Sequence, residues 1–276
     1  MTPSEIAEAL RPISEEQALR SYVALKASNE PRAGLKTLDR HFLPVRLLTK
    51  TSKGRGRVSF LEMLNTPHLI SLVTRYDRYK HDPTRISNQY NVFQVWYGSV
   101  NQFRPQVAKS IYQRYNPSCI LDFSAGWGGR ALGAMALNTS YIGIDSNTLL
   151  EPCYNALRQY EPTVKLQMIF QPSETVDFSQ FKYDMIFTSP PYYTQETYPE
   201  MPSYPTLQDF LETFLRPTIL RAWEHLQPGG HMALNLPVWL YDRLILDIPL
   251  LEQVPMPYNG RSGPIRHEWV YVWRKP

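Results

Sequence analysis

The sequence predicts an α/β fold: a doubly wound, mostly parallel seven-stranded sheet with an antiparallel edge strand, preceded by a mainly helical region. From residue 118 onward, apolar segments of strand length alternate with segments of helical periodicity, as in parallel sheets covered by helices on both faces. The last two apolar segments are joined by a Gly/Pro/Arg-rich loop, which predicts an antiparallel hairpin at the edge. Before residue 118, apolar residues recur mainly at helical spacing.

The N-terminal elements are predicted from that spacing. Apolar positions over residues 3–28 follow a helical period and are interrupted near Pro12, which predicts two helices. Further helices are predicted over 59–64, 68–74 and 106–115, and a loop over 50–58.

The elements of the sheet follow in order. The predicted strands are 118–124, 140–145, 164–170, 183–189, 231–236, 251–258 and 267–275. The helices predicted between them are 129–137, 149–160 and 207–226.

Charge divides the chain into two parts. Residues 1–115 contain 18 Lys and Arg against 9 Asp and Glu, whereas residues 116–276 contain 11 against 16. Tyrosine and tryptophan side chains are interleaved with the basic residues or follow them closely, which suits a surface for phosphates and bases. A solvated face without a partner is the alternative. We expect residues 1–100 to be a nucleic-acid-recognition region and residues 101–276 to be a separate domain built on the sheet.

Composition disfavours several classes of protein. No segment approaches the ~18 consecutive apolar residues of a membrane span, and the first residues lack the basic-then-apolar order of a signal peptide. Cys119 and Cys153 form neither a metal-ligand cluster nor a disulfide framework. An intracellular location and a site without a metal are therefore expected.

The segment LDFSAGWGGR, residues 121–130, predicts a ligand site after the first strand. Its small residues form a tight turn into a helix, where backbone N–H groups can meet a ligand. The second strand ends at Asp145, and an acid at that position can accept hydrogen bonds from both ribose hydroxyls of a nucleoside. A structural turn and a helix N-cap are the alternatives; together, the two features favour cofactor binding.

The segment TSPPYY, residues 188–193, ends the fourth predicted strand. Pro190 and Pro191 cannot donate to a sheet ladder, so strand pairing stops there and the tyrosines stand at the rim of the sheet. A proline turn that merely closes a strand is the alternative interpretation.

Taken in order, these motifs resemble those of the S-adenosylmethionine-dependent methyltransferases that modify exocyclic amino groups of DNA bases. In that family, a D-P-F-x-G-x-G-like turn, a strand-end acid and a [DNS]-P-P-[YFW] tetrapeptide occur in the same order. Here DFSAGWG (122–128), Asp145 and SPPY (189–192) occupy these places. The resemblance covers about residues 100–276 and departs from the family at Ser124, where phenylalanine is usual. It implies a Rossmann-like methyltransferase domain over residues 101–276.

The resemblance also implies roles for individual residues. The cofactor S-adenosyl-L-methionine would be bound by the turn, the strand-end acid, the third-strand loop and the segment before the first strand. These residues are Asp122, Ser124, Ala125, Gly126, Gly128, Asp145, Ser173 and Phe103. Glu174 and Arg104 are additional candidates beside them.

The tetrapeptide is implied to hold the target amine. The Ser189 side chain and the Pro190 carbonyl would accept its N–H groups, Pro191 would stiffen the loop, and Tyr192 would stack on a base flipped out of double-stranded DNA. Serine in the form TSPPY usually accompanies cytosine, so the expected product is N4-methylcytosine. Open alternatives are adenine N6, an RNA amine and a catalytically silent nucleic-acid-binding module.

Methylation at cytosine carbon five would need a cysteine nucleophile. Pro152-Cys153 is present, but it falls in the helix after the second strand, whereas that nucleophile belongs at the end of the fourth strand. We therefore interpret Cys153 as a small buried helix residue.

The sequence also predicts the DNA-binding residues. Too few residues separate the two motifs for an inserted recognition domain, so recognition falls to the basic N-terminal region, helped by two later loops. The candidates are Lys50, Lys53, Arg55, Arg57, Tyr193 and Arg261. A cognate restriction endonuclease is a conceivable partner, no membrane is expected, and the expected location is the cytoplasm, or a host cell's DNA if the gene is viral.

Overall fold

Three of the described N-terminal helices begin where the sequence offers a capping side chain. In the computed structural model, which describes residues 1–51, 57–77, 85–193, 196–198, 201–256 and 268–276, Thr2, Ser14 and Ser59 each accept a hydrogen bond from the backbone N–H three residues later. The Glu or Gln there bonds back to the capping residue's N–H. The elements are α1 (Pro3–Leu10), α2 (Glu15–Ala27), α3 (Leu35–Arg46), β1 (Lys50–Thr51), α4 (Phe60–Leu64), α5 (Pro67–Asp77), α6 (Ile86–Tyr97) and α7 (Pro105–Tyr115).

Strands and helices alternate from residue 119 onward. They are β2 (Cys119–Asp122), α8 (Gly129–Met135), β3 (Ser140–Asp145), α9 (Glu151–Arg158), β4 (Leu166–Phe170), β5 (Met185–Thr188), β6 (Glu196–Thr197), α10 (Leu207–Asp209), a π-helical segment (Phe210–Leu215), α11 (Arg216–His225), β7 (His231–Pro237), α12 (Val238–Tyr241), β8 (Glu252–Pro255) and β9 (Glu268–Arg274). Single 3₁₀ turns lie at Thr148–Leu150, Ser173–Thr175 and Phe178–Gln180.

Seven strands form one sheet in the order β4-β3-β2-β5-β7-β9-β8. The strands β4, β3, β2, β5 and β7 pair in parallel, whereas β9 pairs antiparallel with both β7 and β8. The strand order reverses between β2 and β5, which opens a crevice at their carboxyl ends. The predicted fold class is confirmed, and β9 lies one place in from the edge, which β8 occupies.

Both faces of the sheet are buried against helices. Along β5, Ile186 packs into the core of one face and Phe187 into that of the other, because successive strand residues point to opposite sides. Tyr22, Leu38 and Phe42 of α2 and α3 belong to the same core as Phe187. The predicted boundary at residue 100 stays a prediction, but α2 and α3 help to cover the sheet.

A smaller core joins the other N-terminal helices. Its buried members include Ile6 of α1, Phe60 and Met63 of α4, and Phe93 of α6. Within the described helices, none is long and apolar enough to cross a membrane.

Five of the described α-helices and β-strands were not predicted from the sequence: α3, β1, α6, β6 and α12. Helix α3 follows Gly34, which provides no side-chain cap, and it contains Pro44. Both features disfavour a helix locally, so contacts with the rest of the protein stabilise it. Strand β1 pairs antiparallel with β6, and a two-residue ribbon leaves no periodicity to detect. Helix α6 starts at Arg85 without a side-chain cap.

Candidate active site

A cavity of about 380 Å³ opens at the carboxyl edge of the sheet. Its walls come from the segments that directly follow four parallel strands: 123–127 after β2, 145–147 at the end of β3, 172–174 after β4 and 189–192 after β5. The segment 101–104 before α7 supplies another wall. Its volume falls within the usual range of small-ligand sites.

The cavity brings together most residues that the sequence singled out. The predicted residues that line it are Phe103, Ser124, Ala125, Gly126, Asp145, Ser173, Ser189, Pro190, Pro191 and Tyr192, and the additional candidates Arg104 and Glu174 line it too. Asp122 and Gly128 are not among the lining residues, and neither are Lys50, Arg57 and Tyr193. Lys53, Arg55 and Arg261 lie outside the described residues.

The turn after β2 is held in shape by backbone conformation and by Asp145. Gly126 and Gly128 have φ values of 56° and 72°, a left-handed region that favours glycine. The Gly126 N–H donates to Asp145 Oδ2 at 2.7 Å, and the Ala125 N–H donates to the Ile144 carbonyl at 2.9 Å. These bonds tie the turn to the end of the neighbouring strand β3.

The carboxyl group of Asp145 accepts two hydrogen bonds, yet its pKa is raised. Its Oδ1 accepts the Asn147 N–H at 2.9 Å and its Oδ2 accepts that of Gly126. Burial raises the pKa of Asp145 to about 6, although both hydrogen bonds favour the charged form. A carboxylate has about four acceptor positions, so it can accept further donors from a ligand in the cavity.

Asp122 lies behind the cavity and organises its wall. The residue is fully buried, its Oδ2 accepts Arg130 Nε at 2.6 Å, and the Tyr141 hydroxyl also donates to it. Its Oδ1 accepts the Ser124 N–H at 3.2 Å. Arg130 donates in turn to the Ser124 carbonyl and lines the cavity. Asp122 therefore stabilises the turn through hydrogen bonds with Ser124 and Arg130 and is not itself part of the cavity lining.

Gly128 has a packing role. A Cβ atom there would lie 2.7 Å from the Phe42 ring of α3 and 3.0 Å from Leu157 of α9. At the next residue, Gly129, a Cβ would overlap the Phe103 carbonyl. The segment before α7 thus lies directly against the glycine turn.

The tetrapeptide forms a polar corner of the cavity with a residue that sequence reasoning missed. Ser189 Oγ and Tyr192 Oη each lie 3.1 Å from Oδ1 of Asn235 on β7. The two hydroxyl oxygens are 3.3 Å apart. Asn235 is a polar residue in the otherwise apolar strand segment MALNLP, and that break in pattern was the available signal.

Tyr193 has a different environment from Tyr192. Its φ of 54° is left-handed, which is uncommon for a residue with a side chain. Its hydroxyl donates to the Pro205 carbonyl at 3.2 Å, and its ring lies 5.8 Å from that of Phe210. Tyr193 therefore contacts the loop and helix that follow the tetrapeptide.

The short ribbon of β1 and β6 joins the N-terminal region to the cavity rim. Lys50 pairs with Thr197, and Arg57 donates to the Thr197 hydroxyl at 3.2 Å. Tyr198, the next residue, lines the cavity, and its ring lies 5.9 Å from that of Trp127. The Lys50 ammonium also makes an ion pair with Glu62, so that charge is partly neutralised.

Two further predictions from the sequence concern whether Cys153 is a catalytic nucleophile and whether a metal is bound. Cys153 is buried in α9, away from the cavity lining, and burial raises the pKa of its thiol to about 11. Such a thiol stays protonated at neutral pH, so it is a weak nucleophile. Among the described residues, no group of three or more His, Cys, Asp or Glu side chains is arranged to hold a metal.

Several solved structures, some of them of methyltransferases, are similar to this chain. TrmN from Thermus thermophilus matches with a TM-score of 0.44 and 18% identity, over 62% of this chain and 49% of that one. The glycopeptide N-methyltransferase MtfA, complexed with S-adenosyl-L-homocysteine, matches with 0.43 and 15%, over 62% and 89%. The T. thermophilus 16S rRNA methyltransferase RsmC, in complex with AdoMet and guanosine, matches with 0.41 and 18%, over 65% and 44%.

No protein-family model matches the sequence, and no curated protein does either. The matched region spans about half of the TrmN chain and less than half of the RsmC chain. At these identities and TM-scores, the strand order is the firmer basis for the fold: a Rossmann-like, doubly wound sheet with its cavity at the switch point.

Proposed function

We propose that this protein is an S-adenosylmethionine-dependent methyltransferase that acts on an exocyclic amino group of a nucleic-acid base, with cytosine N4 in DNA as the target. One observation carries the proposal: the tetrapeptide 189–192, the glycine turn and Asp145 line a single cavity. A pure binding module needs no such arrangement of amine acceptors beside a nucleoside site. Two of the solved structures that are similar to this chain, MtfA and RsmC, are methyltransferases.

The residues of the cavity suit the cofactor's chemistry. Asp145 offers acceptors for two ribose hydroxyls, and Phe123, Leu150 and Pro172 offer apolar surface for the adenine ring. When bound, S-adenosylmethionine supplies an electrophilic methyl group on a sulfonium sulfur. Asp122 and Gly128, which are not among the lining residues, would support the turn from behind.

Arg104 suits the cofactor's carboxylate. Arg104 is one of the residues that line the cavity, and burial together with the positive charge of Arg32 lowers its pKa. Within the described part of the chain, no acidic side chain forms a salt bridge with it. An anionic ligand group would relieve this uncompensated positive charge.

The tetrapeptide suits an aromatic amine. The lone pair of such an amine is delocalised into its ring, so the amine is a poor nucleophile. Acceptance of its N–H groups by Ser189 Oγ and the Pro190 carbonyl would localise that lone pair on nitrogen. With its lone pair so localised, the amino nitrogen would be able to take the methyl group that the bound cofactor would supply, and it would release its extra proton to solvent. Preorganised acceptors contribute by orientation and electrostatics.

Nucleic acid as the substrate rests on the charge division of the chain. The N-terminal part carries the positive excess, and the β1–β6 ribbon connects it to the cavity rim at Tyr198. Long-range attraction of phosphates to that part would bring a flipped base to the cavity.

The test is product identification. Double-stranded DNA, single-stranded DNA and RNA are incubated with methyl-labelled cofactor and digested to nucleosides, which are identified by mass spectrometry. The proposal predicts labelled N4-methylcytosine from DNA. N6-methyladenine, or a methylated RNA amine, would change the target while keeping the class of reaction. Labelled 5-methylcytosine, or no labelled nucleoside, would overturn the proposal.

A further inference from the structure

Asn235 lies level with Ser189 because of strand register. Strands β5 and β7 pair in parallel with Thr188 opposite Leu234, so the next residue on each strand meets at the carboxyl edge. Asn235 is 2% exposed and lines the cavity. A buried amide of this kind must satisfy both its donor and its acceptor groups.

The orientation of this amide is fixed by a backbone carbonyl. Asn235 Nδ2 donates to the Trp269 carbonyl of β9 at 3.2 Å. A carbonyl can only accept, so the amide nitrogen must face β9 and Oδ1 must face the cavity. Oδ1 then accepts the hydroxyl protons of Ser189 and Tyr192, both at 3.1 Å.

This network determines which way the Ser189 hydroxyl points. A serine hydroxyl has one proton to donate and two lone pairs to accept with. Once its proton is directed to Asn235, the oxygen turns its lone pairs elsewhere. Tyr192 donates its hydroxyl proton to the same Oδ1, so that proton is not directed at a lone pair of Ser189, although the two hydroxyl oxygens are 3.3 Å apart. Ser189 is left able to accept a hydrogen bond at the cavity surface.

We propose that Asn235 is a positioning residue that holds the Ser189 hydroxyl as an acceptor for the substrate's amino group. The inference rests on the proposed function, because an acceptor is what an amine with N–H donors requires. A keto oxygen in the same place, as in uracil or thymine, would face the Ser189 lone pairs and be repelled. Asn235 thereby contributes to selecting an amine over a carbonyl without touching the substrate itself.

The substitution Asn235→Asp gives a signature that a merely structural role would not. A protonated carboxyl reproduces the amide pattern: its O–H donates to the Trp269 carbonyl and its C=O accepts from Ser189. An ionised carboxylate has no donor for that carbonyl. Burial raises the pKa of a carboxyl at this position. The ratio of the turnover number of N235D to that of the wild type should therefore fall at least tenfold between pH 5.5 and 8.5.

Both turnover numbers are measured with saturating cofactor. Other titrating groups of the cavity then affect the variant and the wild type alike, and their effects cancel in the ratio. Asn235→Leu serves as the matched control. Its turnover number should be at least tenfold lower than that of the wild type, and the ratio of the two turnover numbers should not change with pH. The double variant S189A/N235D should also lose the pH signature, because Ser189 is the group through which Asn235 acts. KM for nucleic acid should change less than threefold in N235D.

Folding is followed in the same samples. A carboxyl that is required neutral in the folded state has its pKa raised above the unfolded value, so its stabilising contribution is present at low pH and lost as pH rises. The melting temperature of N235D should drop relative to the wild type over the same range. Turnover is compared only at temperatures where both proteins are folded and bind cofactor within threefold of each other.

The outcomes separate the two proposals. An active wild type with a pH-independent N235D ratio, or with full activity in Asn235→Leu, overturns the role of Asn235 alone. A wild type that methylates no nucleic-acid amine overturns the proposed function and this inference with it. A falling ratio that survives in S189A/N235D shows that Asn235 acts other than through Ser189, which also overturns the inference.

Discussion

At the scale of single residues, Asp145 links the electrostatics of the cavity to its chemistry. The carboxylate accepts two backbone N–H groups, yet burial raises its pKa to about 6. The ionised form is the better acceptor for ligand hydroxyls, so ligand binding and ionisation favour each other.

Cofactor affinity should therefore weaken as pH falls through about 6. The measurement is isothermal titration calorimetry between pH 5 and 8 in two buffers, which should also show proton release on binding near pH 6. Asp145→Asn should lose about 1–3 kcal/mol of binding free energy, because a neutral amide is the weaker acceptor. It should also bind independently of pH in this range. A wild-type affinity that does not change with pH would mean that another group holds the ribose.

The Tyr192 ring should matter more than its hydroxyl. Tyr192→Ala removes the stacking surface for a flipped base, worth about 1–3 kcal/mol in comparable stacks, whereas Tyr192→Phe keeps the ring and should retain most activity. Steady-state kinetics on both variants make the comparison. Cofactor affinity is the control and should be unchanged. If Tyr192→Ala is fully active and Tyr193→Ala is not, the platform for the base is Tyr193.

Most residues of the cavity lining were predictable from the sequence, whereas the residues that hold this lining in place were not. Gly126, Asp145 and Ser189 follow predicted strand ends, where motif and position coincide. Asn235 acts through a hydrogen bond with Ser189, 46 residues away, so no local pattern assigns its partner. Arg130 lies in the predicted turn segment, but its bond to Asp122 depends on the fold of that turn. Motif position also could not reveal that Asp122 and Gly128 lie behind the cavity wall.

Among the secondary-structure elements, the β1–β6 ribbon joins the positively charged N-terminal region to the rim of the cavity. It pairs residues 50–51 with residues 196–197, four residues after the tetrapeptide ends. Strand β7 was predicted almost to the residue, because its apolar run is long. The ribbon depends on a long-range contact between two short segments, and no periodicity within either segment could indicate it.

Neutralising Lys50, Lys53, Arg55 and Arg57 together should weaken DNA binding and flatten its salt dependence. Each lost phosphate contact lowers the slope of log K against log salt by roughly 0.9. Lys50 should contribute least, since it pairs with Glu62. Fluorescence anisotropy over a salt series is the measurement.

The matched control for that variant is Arg20→Gln. Arg20 is an exposed cation that is paired with Glu16 in α2, outside the segment 50–57. An unchanged slope in the four-residue variant, or an equal change in Arg20→Gln, would contradict a specific role for this segment in DNA binding.

At the scale of the whole molecule, the N-terminal helices and the sheet share a core. Phe42 of α3 is fully buried, lies against Gly128 and packs its ring 5.2 Å from that of Tyr154 in α9. Phe42→Ala should lower the free energy of unfolding by about 3–5 kcal/mol. Urea denaturation followed by fluorescence and circular dichroism should show one transition.

The same packing bears on the domain boundary. A fragment of residues 101–276 would expose the surface that α2 and α3 cover, so it should aggregate or unfold well below the melting temperature of the full chain. A fragment starting at residue 15 retains both helices and is the control. A stable, monomeric 101–276 fragment would show that the N-terminal region is an independent domain.

In the proposed reaction, a methyl group is transferred to an exocyclic amino nitrogen held by the tetrapeptide 189–192. The most direct test uses cofactor with a ¹³C-labelled methyl group and DNA whose cytosine amino groups carry ¹⁵N. Nuclear magnetic resonance of the digested nucleosides should show a one-bond ¹³C–¹⁵N coupling with the wild type and a strongly reduced signal with Ser189→Ala. A ¹³C methyl resonance without that coupling, or an undiminished signal in Ser189→Ala, would contradict transfer to an amino nitrogen held by Ser189.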